Sequence, residues 1–175
     1  PESQYDNNHN LRYAFFGYIS PDLHKKLEER FNIRACPAYG MTEIGAGMIV
    51  PIEDVHMTGT GTVGKPFEHL QFRIVDEDGK DVKQGEMGEL WVKGAGIFQG
   101  YYKKEKETAH LFEREWFRTG DLFRQDENGY YYIIGRKKEM IRRSGDNISV
   151  SELEGVIISH PKVKLVAVLP VPDDI

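Results

Sequence analysis

A mixed α/β architecture, with a small antiparallel, barrel-like β subdomain at its centre, follows from three patterns in the 175-residue chain. A capped helical repeat opens at Ser20-Pro21, a period of two takes over from about Gly61, and a hairpin, a helix and an apolar run close the chain. These changes of period divide it into residues 1–60; 61–136, the antiparallel unit; and 137–175, a shorter unit of little more than half a domain.

The elements follow in order. The Ser20 hydroxyl precedes Pro21 at a first helical position, and Leu23, Leu27 and Phe31 recur every four residues on one face, which predicts a helix from about Pro21 to Phe31. "IRACPAYG" reads as a short strand and turn, bringing "AYGMTEIG" to a strand end or loop where side chains can be presented to a ligand. Leu70, Phe72 and Ile74 alternate with Gln71 and Arg73 up to the turn "DEDG", and "ELWVKG" is the next strand. "DLFRQ" and "YYYIIGR" flank "DENG", whose Asn-Gly end is a hairpin signal. Beyond Arg136 comes the hairpin "KEMIRRSGDNI". A helix follows, with a Ser149/Glu152 capping box and Leu153, Val156 and Ile157 on one face, ending at His160-Pro161. "KLVAVLPV" then predicts a strand.

Lys+Arg of 23 against Asp+Glu of 28 leaves a net charge of -5, so the chain lacks the basic surplus of a non-specific nucleic-acid binder. Its single cysteine, Cys36, can close no intramolecular disulfide and reads as a buried small hydrophobe in a reducing compartment. No apolar run approaches the length of a membrane span, and a cytoplasmic location is expected. The first residue is not Met and the chain stops just after an apolar run, so a fragment of a longer protein is expected.

"AYGMTEIG" places the Tyr39 ring, the Thr42 hydroxyl and the Glu43 carboxylate between Gly40 and Gly45. Alone, these residues admit a packed Tyr, a locally bonded Thr and a solvated Glu. Other blocks add to them. "WFRTGDL" sets Asp121 behind a Thr-Gly turn, where a carboxylate can accept two hydrogen bonds from a vicinal diol. "GRKKEMIRR" gathers Arg136, Lys137, Lys138, Arg142 and Arg143; a charge run is usually a solvated face, yet cations beside glycines also suit phosphate. Ring, hydroxyl, carboxylate, diol acceptor and cations together make an inventory for a nucleoside triphosphate with Mg²⁺, an ion satisfied by one or two carboxylates plus phosphate oxygens.

"SPDL…RF" leading to "YGMTE", then "GELWVKGAGIFQGYY", "WFRTGDL", "GRKKEMIRRSGDNISVSELE" and "HPKVKLVAVLPVPDD" resemble, in this order, the later core motifs of the AMP-forming acyl-CoA synthetases of the adenylate-forming superfamily. The resemblance implies the end of a large N-terminal domain, a β subdomain and the start of a mobile C-terminal domain. It also implies a two-step ligase: a carboxylic acid attacks the α-phosphate of ATP to give an acyl-adenylate and pyrophosphate, and the thiol of coenzyme A then displaces AMP. By position, Tyr39 would stack on adenine beside Gly40, Thr42 would contact phosphate, Glu43 would ligate Mg²⁺, and Asp121 with Arg136 would hold the ribose. Lys138 falls at the hinge, Ser144 and Gly145 line the coenzyme A channel, and Gly45 and Ala46 border the acyl pocket.

Where relatives carry Gly-Gly-Ala this chain has Phe15-Phe16-Gly17, so Phe16 and Gly17 are expected at the pocket and a small or polar acyl group follows; the alternative turns the rings into the core. This run and "RRSGDNIS" resemble the carnitine or crotonobetaine CoA-ligase branch, whose trimethylammonium group could gain about 0.5–2 kcal/mol on an aromatic face. The family's glycine-rich phosphate loop and its C-terminal catalytic lysine fall outside these residues, so the isolated chain is expected not to form an adenylate. Two rivals stand beside this reading. One is an adenylation unit loading a carrier protein, against which the cationic run favours coenzyme A; the other is a non-catalytic β-rich interaction module, against which Glu43, Asp121 and Arg136 speak.

Overall fold

The computed structural model describes residues 2–17, 19–143 and 146–171. Ser144 and Gly145, and the side chains of Arg142 and Arg143, lie outside the described residues.

Strand β1 (Tyr13–Phe16), helix α1 (Pro21–Phe31) and strand β2 (Arg34–Met41) form a βαβ unit in which β1 and β2 are parallel. The helix begins where the sequence says it should: the Ser20 hydroxyl accepts from the Leu23 N–H at 3.4 Å, and Asn32, left-handed at φ 49, ends it. The face packed against β2 is a different one from the leucine stripe. His24 is the buried residue; its Nδ1 accepts from the Gly59 N–H at 3.2 Å, so Nε2 carries the proton and donates to the Ala35 carbonyl at 3.0 Å. One turn on, Glu28 accepts from the Ala35 N–H at 2.9 Å and from Arg34 at 2.6 Å. Leu23, Leu27 and Phe31 instead line a cavity of about 570 Å³ with the N-terminal segment.

Strand β3 (Gly45–Ile49) runs antiparallel to β2, with a bulge between Tyr39 and Gly40, and β4 (Lys65–Pro66) adds to β3. Tyr39 and Gly40 therefore sit inside the strand; only Thr42, Glu43 and Ile44 form the turn. A Cβ on Gly40 would run into the Gly45 carbonyl, which is what the close approach of β2 and β3 requires of that position.

The second sheet contains β5 (Leu70–Val75), β6 (Gly88–Gly94), β7 (Phe112–Glu113), β8 (Trp116–Gln125) and β9 (Tyr131–Arg136), with short α2 (Glu105–Ala109) before β7. Every pairing in it is antiparallel. Strand β8 is central: β6 lies along one edge, while β7 covers the first half of the other edge and β9 the second half. Tyr39, Ile44 and Met48 from the first sheet join Leu90, Phe117 and Phe123 from the second in one buried cluster. Backbone links reinforce the junction: the Val63 N–H donates to the Tyr131 carbonyl and the Tyr131 N–H to the Gly64 carbonyl, both at 2.9 Å. Gly64 has φ +94, and a Cβ there would overlap the Ile49 carbonyl.

After β9 a 3₁₀ turn, Lys137–Glu139, leads to the hairpin β10 (Met140–Arg143) and β11 (Asp146–Ser149) and to α3 (Val150–Ile158). Ser149 caps α3 by accepting from the Glu152 N–H at 3.3 Å. "KLVAVLPV" forms no strand, contrary to expectation. A strand needs a neighbour for its N–H and C=O groups, and none pairs with it among the described residues; Leu165 and Leu169 are 88% and 76% exposed. Among the described residues no helix is long and apolar enough to cross a membrane.

Candidate active site

Asp121 lies buried in β8, opposite Arg136 in β9. Its Oδ2 accepts from the Tyr39 hydroxyl at 2.7 Å, across 82 residues, and its Oδ1 meets Arg136 Nε at 2.7 Å. The Thr-Gly turn foreseen before Asp121 is instead a stretch of strand that anchors this residue. The Thr119 hydroxyl donates to the Leu90 carbonyl at 2.8 Å and accepts from the Asp121 N–H at 3.1 Å. The Tyr39 ring is buried, edge-on to Phe123 at 4.9 Å. One residue from the first sheet and two from the second thus meet at a single carboxylate.

The electrostatics follow from this geometry. Burial pushes the Asp121 carboxyl above the usual carboxylate range; Tyr39 and Arg136 oppose the shift, and the nearby Glu139 and Glu43 charges add to it. Burial, followed by the charge of Asp121, drives the Tyr39 phenol far above its ordinary range, so it remains a donor. Arg136 is 46% exposed while Asp121 is 7%, so the pair shows water mainly its guanidinium.

Glu43 is partly buried in the β2–β3 turn. Its backbone carbonyl accepts from the Phe98 N–H at 2.8 Å, and its Oε1 accepts from the Tyr101 hydroxyl at 2.5 Å. Thr42, Ala46 and Gly45 are exposed beside it, and Gly45, at φ +68, has open space where a side chain would begin. Gly17 is equally open at the end of β1. Phe16 is partly buried opposite Pro37, whereas Phe15 is 63% exposed and takes no part in the core. Gly17 follows the carboxyl end of β1 and Thr42 that of its parallel partner β2, the end at which α/β sheets receive ligands.

The cationic run is less uniform than its sequence. Arg136 is engaged by Asp121, and Lys137 Nζ lies 2.9 Å from Glu89, a buried carboxylate that Arg118 also approaches at 3.6 Å. Lys138 is exposed in the turn that follows β9. Tyr101, Thr119 and Glu89 had no signal in their local sequence, because each acts on a partner brought near only by the sheets.

The donor set fits a nucleotide with its metal. Asp121 keeps acceptor capacity beyond the two bonds it receives, and Glu43 keeps one oxygen outside its bond to Tyr101. No cluster of three or more metal-type side chains occurs among the described residues, and a phosphate-borne Mg²⁺ needs none. The profile of the AMP-binding enzyme family matches residues 1–102. The chain belongs to that family.

Among curated relatives of this chain is the crotonobetaine/carnitine-CoA ligase of Proteus mirabilis, 37% identical over 180 residues. That match covers 100% of this chain and 35% of the relative, so the chain spans about a third of the relative's length. Among solved structures, an amide bond synthetase from Marinactinospora thermotolerans is 27% identical with a TM-score of 0.85, covering 99% of this chain and 37% of that one. The o-succinylbenzoate CoA synthetase of Bacillus subtilis, with its acyl-adenylate intermediate bound, is 29% identical with a TM-score of 0.82, covering 94% and 34%. The same enzyme is also solved with ATP and magnesium ion, at a TM-score of 0.75, covering 85% of this chain and 31% of that one.

Proposed function

We propose that the protein carrying this chain is an ATP-dependent acid–thiol ligase, which makes an acyl-adenylate from a carboxylic acid and then an acyl-CoA thioester, releasing pyrophosphate and AMP. The observation that carries the reading is the Tyr39–Asp121–Arg136 junction with Glu43 beside it. Asp121, fixed by Thr119 and stripped of water, accepts from the ribose hydroxyls, and the exposed guanidinium of Arg136 closes on the same sugar. With its hydroxyl taken by Asp121 and its ring buried against Phe123, Tyr39 would offer adenine only the small part of the ring left exposed beside Gly40. The Thr42 hydroxyl donates to phosphate, and the second oxygen of Glu43 holds Mg²⁺. The ion, when bound, offsets negative charge on the phosphates as the acid attacks.

Gly17, Gly45 and Ala46 leave room for the acid, and Phe16 offers it an aromatic face, while Phe15, its neighbour in β1, points to the other side of the sheet. A small, cationic acid such as carnitine or crotonobetaine is supported by the Phe16 ring and by the names of the curated relatives. Coenzyme A would reach the site past Ser144 and Gly145, and the unit 137–175 would turn at Lys138 against the units 1–60 and 61–136. ATP–pyrophosphate exchange by the full-length enzyme tests the first step. Exchange with carnitine or crotonobetaine, absent with palmitate, is expected; best activity on palmitate would refute the acyl assignment, and no exchange with any acid the function. Supplying coenzyme A, a carrier protein or an amine then separates the acceptors, the amine arm being motivated by the likeness to an amide bond synthetase.

A further inference from the structure

We propose that Tyr101 is a positioning residue for the metal carboxylate: its hydroxyl holds one oxygen of Glu43 and thereby presents the other to Mg²⁺. The inference rests on the reading of Glu43 as the metal ligand.

Glu43 sits in a turn of the first sheet, and 58 residues separate it from Tyr101, which lies on the segment between β6 and α2. That segment is fastened at both its backbone and its rings. The Phe98 N–H donates to the Glu43 carbonyl at 2.8 Å, the Tyr101 N–H to the Thr108 hydroxyl at 3.0 Å, and the Lys104 N–H to the Tyr101 carbonyl at 3.1 Å. The Tyr101 ring meets Phe98 edge-on at 5.1 Å, and Phe98 packs on Phe112 and Phe117, the latter 2% exposed. The phenol is therefore delivered by a rigid mount.

A free glutamate side chain is among those that lose most rotamer freedom when ordered, and a metal that must order it binds more weakly for that reason. Here one hydrogen bond to Oε1 fixes the side chain before any ion arrives, leaving Oε2 for single-oxygen coordination. A hydrogen bond to one oxygen also draws on a lone pair, which opposes binding. Ordering wins because Mg²⁺ takes a single oxygen from each such carboxylate, and outer partners of metal carboxylates typically raise affinity about 10- to 100-fold.

The test uses Mn²⁺ as a paramagnetic stand-in, titrated into the full-length enzyme with ATP and followed by electron paramagnetic resonance. The variants are Tyr101→Phe and Glu43→Gln, with thermal melting as the check on folding. Tyr101→Phe keeps the ring on Phe98, so the melting temperature should hold while the Mn²⁺ dissociation constant rises about 10-fold. In turnover, the Mg²⁺ concentration for half-maximal rate should rise by a similar factor, with kcat at saturating Mg²⁺ nearly preserved. If Glu43→Gln weakens Mn²⁺ binding and Tyr101→Phe does not, the positioning role is overturned and the Glu43 reading stands. If neither variant weakens it, the Glu43 reading itself fails and takes the proposal with it.

Discussion

Tyr39→Phe removes one oxygen and leaves a ring of nearly the same shape, so it isolates the bond that joins the two sheets at Asp121. The ring keeps its edge contact with Phe123, and Asp121 keeps Arg136. What is lost is a 2.7 Å hydrogen bond to a buried carboxylate, where little water is at hand to replace it. Bonds to charged groups contribute about 1.5–3 kcal/mol, a factor of roughly 10 to 150 in an unfolding equilibrium. Urea unfolding of the full-length enzyme, wild type against Tyr39→Phe, measures it, and Asp121→Asn with the double variant completes a cycle that assigns the loss to this pair. A Tyr39→Phe loss below about 0.5 kcal/mol, or additive single effects, would refute the claim that the phenol holds Asp121.

Three further outcomes follow from the same contacts. Asp121 has its folded pKa raised above 3.8, so its contribution to stability is full below that value and lost as pH rises through the folded pKa. Asp121→Asn should therefore gain on wild type across that window when unfolding is measured from pH 3 to 7. Glu28 is the opposite case: burial works against its charge, but the Ala35 N–H, Thr58 and Arg34 prevail and lower its pKa below 4.5. Its contribution is present above that value and lost on acidification, so Glu28→Gln should cost about 1.5–3 kcal/mol at pH 7 and progressively less as the pH is lowered through the folded pKa. Gly64→Ala meets a positive φ and the Ile49 backbone at once, and should cost more than about 3 kcal/mol or abolish soluble expression.

Much of the fold was legible because its signals are local. Ser20 and Pro21 start α1, Ser149 and Glu152 start α3, and the alternation of Leu70, Phe72 and Ile74 marks β5; each depends on residues within one turn or one strand. What the sequence could not say was which surface each element would meet. The leucine stripe of α1 marked the helix but not the face that meets β2, because His24 and Glu28 satisfy the Ala35 backbone groups and a leucine cannot. "KLVAVLPV" has a strand's composition but lacks a partner among the described residues. At the site, Tyr39, Glu43, Asp121 and Arg136 were each visible in a motif. Their mutual contacts, and the parts taken by Tyr101 and Thr119, depend on separations of up to 82 residues that no periodicity encodes.

The reciprocal amide pair at Val63, Gly64 and Tyr131, with the Thr62 hydroxyl on the same Tyr131 carbonyl at 2.8 Å, rivets the two sheets into one plate. A cleft that opened by parting them would have to break those bonds together with the Tyr39 link, so under the proposed function a nucleotide would enter from the rim and not through a widening crack. The movement that the proposed two-step ligase calls for would fall to the stretch after Arg136, beginning beyond the Lys137–Glu89 contact.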